Sequence, residues 1–208
     1  DGSYGVGSDG QEIITETSND ALALGAGGFL TGIGKIESLS DGRNPIRPTF
    51  CLNGPDACEL TLEFGGLLAV GTNEFDFSNA WLNIYYDDTP DFDYAISSTS
   101  YQRFAQAQDG DLWASFEFSS FVFDGNGFES GDSEIYLNIV GGNPDVVDIF
   151  DSGTLRDIFL TSSAQFNNDV YTNGSTGEFT TVSTPATLGL FGLALFGLGV
   201  ASRKRIAK

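Results

Sequence analysis

From Thr49 onward, apolar and polar residues alternate in one short run after another, and glycine-bearing turns divide the runs. Leu60, Leu62 and Phe64 alternate with Glu59, Thr61 and Glu63; Leu112, Ala114, Phe116 and Phe118 alternate with Trp113, Ser115 and Glu117. Phe75 and Phe77, and then Ile135, Leu137 and Ile139, repeat the pattern. A period of two sends successive side chains to opposite faces of a strand, so each run predicts one buried and one wet face. Asp124-Gly125-Asn126-Gly127, Gly141-Gly142-Asn143-Pro144 and Asn173-Gly174 supply the backbone freedom that tight reversals need. The 18 Phe and 27 Gly of this 208-residue chain suit short strands with aromatic filling. Helical periodicity is almost absent, apart from one short helix expected within 145–160. The pattern predicts an all-β fold, an antiparallel β-sandwich of jelly-roll-like or immunoglobulin-like kind spanning 21–181. Residues 1–20, rich in Gly, Ser and Asp with one β-like run at Ile13-Ile14-Thr15-Glu16-Thr17, read as a flexible arm or an edge strand.

Charge narrows the partners. The formal net charge is −20, and four of the nine basic residues (Arg203, Lys204, Arg205 and Lys208) stand at the C-terminal end. Residues 1–184 therefore hold all 29 acids against five bases, a net −24. Such a surface repels phosphate backbones, which excludes nucleic acid as a partner. It attracts divalent cations. Asp87-Asp88-Thr89-Pro90-Asp91-Phe92-Asp93 gathers Asp87, Asp88, Asp91 and Asp93 in one turn, the hard oxygen ligands that calcium takes. A second acidic stretch, Asp124 to Glu134, fails the EF-hand template, since its sixth position is Glu129 rather than Gly. No cofactor is required by any motif, and calcium is the one ion the composition invites.

Histidine is absent, which removes Ser–His and Cys–His catalysis and histidine-ligated zinc. Lys35 is the only lysine before the C-terminal cluster. The scattered carboxylates match a solvated β surface, so the chain is read as a non-enzyme. Cys51 and Cys58 are the only cysteines and flank Asn53-Gly54-Pro55-Asp56, a turn sequence that folds the chain back between them. They are expected to form a disulfide of an exported protein. No Met occurs anywhere, so Asp1 is read as the product of leader removal.

The segment 182–208 differs in kind. Ala186 to Ala201 carries no charge, is rich in Gly, Leu and Phe, and is followed by Arg203-Lys204-Arg205. As a helix it would run about 24 Å, a little short of the roughly 30 Å hydrocarbon core, with its basic end as a cytoplasmic stop. Gly189, Gly192 and Gly197 would let another helix approach closely. The string Val182-Ser183-Thr184-Pro185-Ala186-Thr187-Leu188-Gly189-Leu190, then the apolar run, then the basic cluster, resembles the PEP-CTERM sorting tail. The parts correspond to a box at 182–185, an apolar helix at 186–201 and a basic end at 202–208. Of the usual Pro-Glu-Pro box only Pro185 is present, since Ser183 and Thr184 precede it. The central order of Phe75 to Asp88, Asp111 to Phe118 and Glu134 to Gly142 resembles flocculation-associated members of that class. The resemblance implies export to the cell surface or medium of a Gram-negative bacterium, passage through the membrane, and handling by an exosortase.

These features lead to an expected role as a cell-surface or matrix structural protein that assembles with copies of itself, a filament subunit of a biofilm matrix being one form of it. A calcium-dependent module binding extracellular polysaccharide is the alternative, with Trp81, Trp113, Tyr85, Tyr86, Tyr94 and Tyr101 as aromatic candidates.

Overall fold

The computed structural model describes residues 5–8, 13–16, 29–36, 38–40, 58–71, 73–92, 100–125, 130–165 and 174–182. These carry strands β1 (Gly5–Ser8), β2 (Ile13–Glu16), β3 (Phe29–Lys35), β4 (Ser38–Ser40), β5 (Glu59–Gly71) and β6 (Glu74–Asp76). β7 (Trp81–Asp87), β8 (Asp111–Gly125), β9 (Ser130–Gly142), β10 (Ile158–Gln165) and β11 (Gly174–Thr181) follow, with helices α1 (Ser100–Ala107) and α2 (Pro144–Phe150). The fold is all-β, and every ladder is antiparallel.

Hydrogen bonds join all eleven strands in one sheet, in the order β2-β3-β5-β7-β8-β9-β10-β11-β1-β4, with β6 as a side hairpin on β5. The order forces the sheet to roll. β1 and β2 stand near opposite ends of this path, yet only residues 9–12 join them, so Ser8 and Ile13 lie within about 18 Å. β3 and β4 are likewise far apart in the path, and Lys35 reaches Ser38 in about 11 Å or less. A flat sheet of this width would span roughly 40 Å at the usual strand spacing. Two short connections thus bring the sheet's ends together, and β2 does lie against β11. The N-terminal strands form the seam.

Leu60 and Leu62, Ala114, Phe116 and Phe118, and Ile135, Leu137 and Ile139 lie inside as alternation predicts, and Leu82 and Ile84 of β7 and Ile158 and Leu160 of β10 join them in one buried cluster. α2 adds Val146 and Phe150 to it, and Phe150 meets the rings of Trp113 and Phe116 edge-on at 5.7 and 6.3 Å. Pro144 opens that helix, and the Asn143 side chain caps it by accepting the Asp145 amide at 3.0 Å. This is the short helix expected within 145–160.

Several expectations need correction. Glu59 and Thr61 were assigned to a wet face, but both are buried, because α1 lies over the outside of β3 and β5. Thr61 Oγ1 donates to the Ala107 carbonyl at 2.7 Å, and Ile33, Phe92 and Ala107 make a second small core there with Phe104. Leu112, expected inside, is 44% exposed, because the β7–β8 register shifts between Ile84, opposite Ala114, and Tyr85, opposite Leu112, which breaks the alternation there. β1, β10 and α1 are not among the elements that the sequence pattern predicts. Val170-Tyr171-Thr172, Tyr94-Ala95-Ile96 and the tail from Ser183 to Lys208, with Pro185, Gly189, Gly192, Gly197, Arg203, Lys204 and Arg205, lie outside the described residues. Among those described, no helix is long and apolar enough to cross a membrane.

Candidate functional site

The acidic turn after β7 folds back over the start of β5. There the carboxylate oxygens of Glu59, Asp87 and Asp91 lie within 4.8 Å of one another. Two of the four acids expected to gather, Asp87 and Asp91, do so. Asp88 is exposed and accepts the Thr89 hydroxyl at 3.1 Å, and Asp93 lies outside the described residues. Glu59 was missed as a member. It is paired with Asp87 in the β5–β7 ladder, and nothing in its sequence neighbourhood distinguishes it from the other strand acids.

Each position has a local cause. The Asp87 carboxylate accepts the Thr89 amide at 2.8 Å, an Asx turn that starts the reversal. Glu59, 1% exposed, receives the reversal's end: its Oε1 accepts the amides of Asp91 at 3.0 Å and Phe92 at 2.9 Å. Its Oε2 meets the Lys35 ammonium at 2.9 Å. Gln106 of α1 donates to the Asp91 carbonyl at 2.9 Å, which fastens helix to turn. Thus Glu59 is neutralised and hydrogen-bonded, while Asp87 and Asp91 keep outward oxygens.

Crowding shows in the proton affinities. Burial, and then the charges of Glu59 and Asp87, raise the Asp91 carboxyl above its ordinary range. Asp109, beyond α1, is raised by burial and by the charges of Asp91 and Asp87. An oxygen-rich cluster with excess negative charge is chemically suited to a hard divalent cation. On α1, Arg103 is buried, and its Nε and Nη1 find no acceptor among the described residues.

The aromatic candidates divide clearly. Trp113 packs on Phe150 and Tyr86 against the main core, so both are structural. Trp81 and Tyr85 alternate with the buried Leu82 and Ile84 and therefore face outward. The side chains of Tyr94 and Tyr101 lie outside the described residues. Cys58 is disulfide-bonded, and Cys51 lies outside the described residues. In the second acidic stretch Asp124 pairs with Asp132 across the β8–β9 ladder, and the Asp132 carboxylate accepts the Ser163 hydroxyl at 2.7 Å.

Comparison with protein-family models, curated proteins and solved structures finds no match.

Proposed function

We propose that this chain is an exported structural protein of the cell surface or extracellular matrix, delivered through its PEP-CTERM-like tail and assembling with copies of itself. The observation that carries the reading is the seam. β1 and β2, of four residues each, complete a sheet whose adjoining strands β11 and β3 have eight and seven residues. An edge so lightly covered can exchange its short strand for the same strand of a neighbouring copy, with no loss of hydrogen bonds. The absence of histidine and the acidic surface agree with a non-enzymatic role in a dilute, salty exterior. The proposal includes a sandwich-like flattening of the rolled sheet and an apolar helix at 186–201 that enters the membrane at least during export. Electron microscopy and light scattering of the purified full chain test it, across concentration and ionic strength. Ordered polymers are expected; monodisperse monomers under every condition would sink it.

A second reading, a calcium-dependent polysaccharide-binding module, is favoured by the convergence of Glu59, Asp87 and Asp91. Calorimetric titration with calcium tests the ion: saturable binding that Asp87→Asn weakens at least tenfold supports it, and no heat from the wild-type protein defeats it.

A further inference from the structure

On the outer face of β5, β7 and β8, away from the acidic cluster, an aromatic ring is set among hydrogen-bonding side chains. Trp81 stands opposite Gly65 on one neighbouring strand and Glu117 on the other. The next outward row is Glu63, Asn83 and Ser115. The indole lies across Gly65: a Cβ added there would sit 3.0 Å from Trp81 Cζ2 and 3.2 Å from Cε2. A side chain at that position would push the ring off the sheet by a few tenths of an ångström, and glycine lets it lie down. One ring face covers the backbone, and the side chain remains partly exposed.

The polar row beside it is held rigid. Ser115 Oγ donates to Asn83 Oδ1 at 2.7 Å, and Asn83 Nδ2 donates to the Tyr85 hydroxyl at 3.3 Å. The Glu63 carboxylate accepts from the Gln108 side chain. Glu117 is exposed beside the indole. Three strands at 4.8 Å and two outward rows at about 6.6 Å make a platform roughly 10 Å by 7 Å, the size of one or two sugar rings.

We propose that this platform binds an uncharged, β-linked polysaccharide. A pyranose with equatorial hydroxyls has an apolar C–H face that fits an indole lying flat, and a rim of hydroxyls that donate to carboxylates and exchange hydrogen bonds with amides and alcohols. Trp81 takes the ring face. Glu117, Glu63, Asn83 and Ser115 take the hydroxyls. The formal charge of −20 turns away polymers of uronic acids and phosphates, so the ligand is neutral. The inference rests on the polysaccharide-binding reading above but removes calcium from the contact. Trp81 and Asp87 end the same strand, six residues and about 20 Å apart.

Affinity electrophoresis of the full chain tests it, in gels containing hydroxyethylcellulose, mixed-linkage β-glucan, galactomannan, dextran or alginate. Retardation by at least one neutral β-linked polymer is expected, unchanged by EDTA and absent with alginate. Trp81→Ala should weaken it at least tenfold, Asn83→Ala several-fold, and Trp81→Phe should retain part. Circular dichroism melts check that the variants fold, and Trp81→Phe keeps a ring on Gly65 should Trp81→Ala unfold. Binding that survives Trp81→Ala, or falls equally with Trp81→Phe and Trp81→Ala, overturns the platform. Binding lost to EDTA or Asp87→Asn but not to Trp81→Ala leaves a polysaccharide-binding module and removes this site from it. Failure of every polymer to retard the wild-type chain defeats both.

Discussion

The Asp157 carboxylate accepts the Ile139 amide through Oδ2 at 2.9 Å, deep between β9 and the loop that enters β10. Its other oxygen takes the Ser152 amide at 2.8 Å and the Ser152 hydroxyl at 2.7 Å. The backbone of the same residue donates to Leu137 and accepts from Val182. One residue thereby ties the loop after α2 to β9 and to the end of β11. Removing the carboxylate would orphan buried donors, each costing about 1–3 kcal/mol. Asp157→Ala is expected to destabilise by about 3 kcal/mol or more, and Asp157→Asn by about half of that. Urea denaturation midpoints measure both; a loss under about 1 kcal/mol for the alanine variant would contradict the assignment.

Glu59 plays the corresponding part under α1, and here a cation is present. The Lys35 ammonium is 27% exposed and Glu59 is fully covered, so the pair is screened less than a surface ion pair. Most of the value of Glu59 is assigned to the two turn amides it accepts. Glu59→Ala is therefore expected to cost about 3 kcal/mol, and Lys35→Met only about 1 kcal/mol. A double-mutant cycle reads the coupling between them. A coupling above about 3 kcal/mol would mean that the ion pair, and not the amides, holds the turn.

How far these features could be read from the sequence depends on what makes them. Alternation placed Leu60, Leu62, Phe116 and Leu137 correctly, because burial of one strand face is local and repeats every second residue. The failures have a common origin in tertiary contact. Glu59 and Thr61 are buried by a helix forty residues away, and α1 itself, Ser-Tyr-Gln-Arg-Phe-Ala-Gln-Ala, is amphipathic but only eight residues long, too short for its period to stand out. The seam is invisible for a similar reason: β1 is Gly-Val-Gly-Ser, and its partners are known only once the ladder is seen. Of the candidate site, the acidic turn was legible and its buried anchor was not.

Two glycines hold backbone geometry that the strands depend on. Gly66 has φ +79°, and a Cβ there would sit 2.1 Å from the Asn79 carbonyl oxygen. Gly142 has φ +123°, with a Cβ 2.5 Å from the Trp113 carbonyl oxygen. In both places the obstacle is backbone, which cannot swing aside as a side chain can. Gly66→Ala and Gly142→Ala are each expected to cost at least about 2 kcal/mol, the left-handed strain plus the forced shift. Gly153→Ala is the control: φ is +69° with nothing within 4 Å, so only the strain of about 1 kcal/mol remains. Equal losses at all three positions would mean that contact plays no part.

The acidic cluster gives a pH dependence whose sign can be worked out. Burial raises the carboxyls of Asp91, Asp109 and Glu63, and the charges of neighbouring acids add to it for the first two. An acid whose folded-state proton affinity is raised stabilises the fold fully below its ordinary pKa and loses that contribution as pH rises through the raised one. The ion-free protein is thus expected to melt higher as pH falls from neutral toward the carboxylate range. Asp76 runs the other way, since the Ser78 amide and hydroxyl lower its carboxyl. Its contribution is lost only below the ordinary value, outside this window. Asp87→Asn removes one repelling charge from both Asp91 and Asp109. It should raise the melting temperature at pH 7 by about 2 °C and flatten the pH profile. Scanning calorimetry from pH 5 to 8 on wild type and variant measures both effects. Unchanged profiles in the variant would show that Asp87 does not carry the repulsion. Added calcium should stabilise the wild type most at the alkaline end, where the carboxylates have no protons to displace.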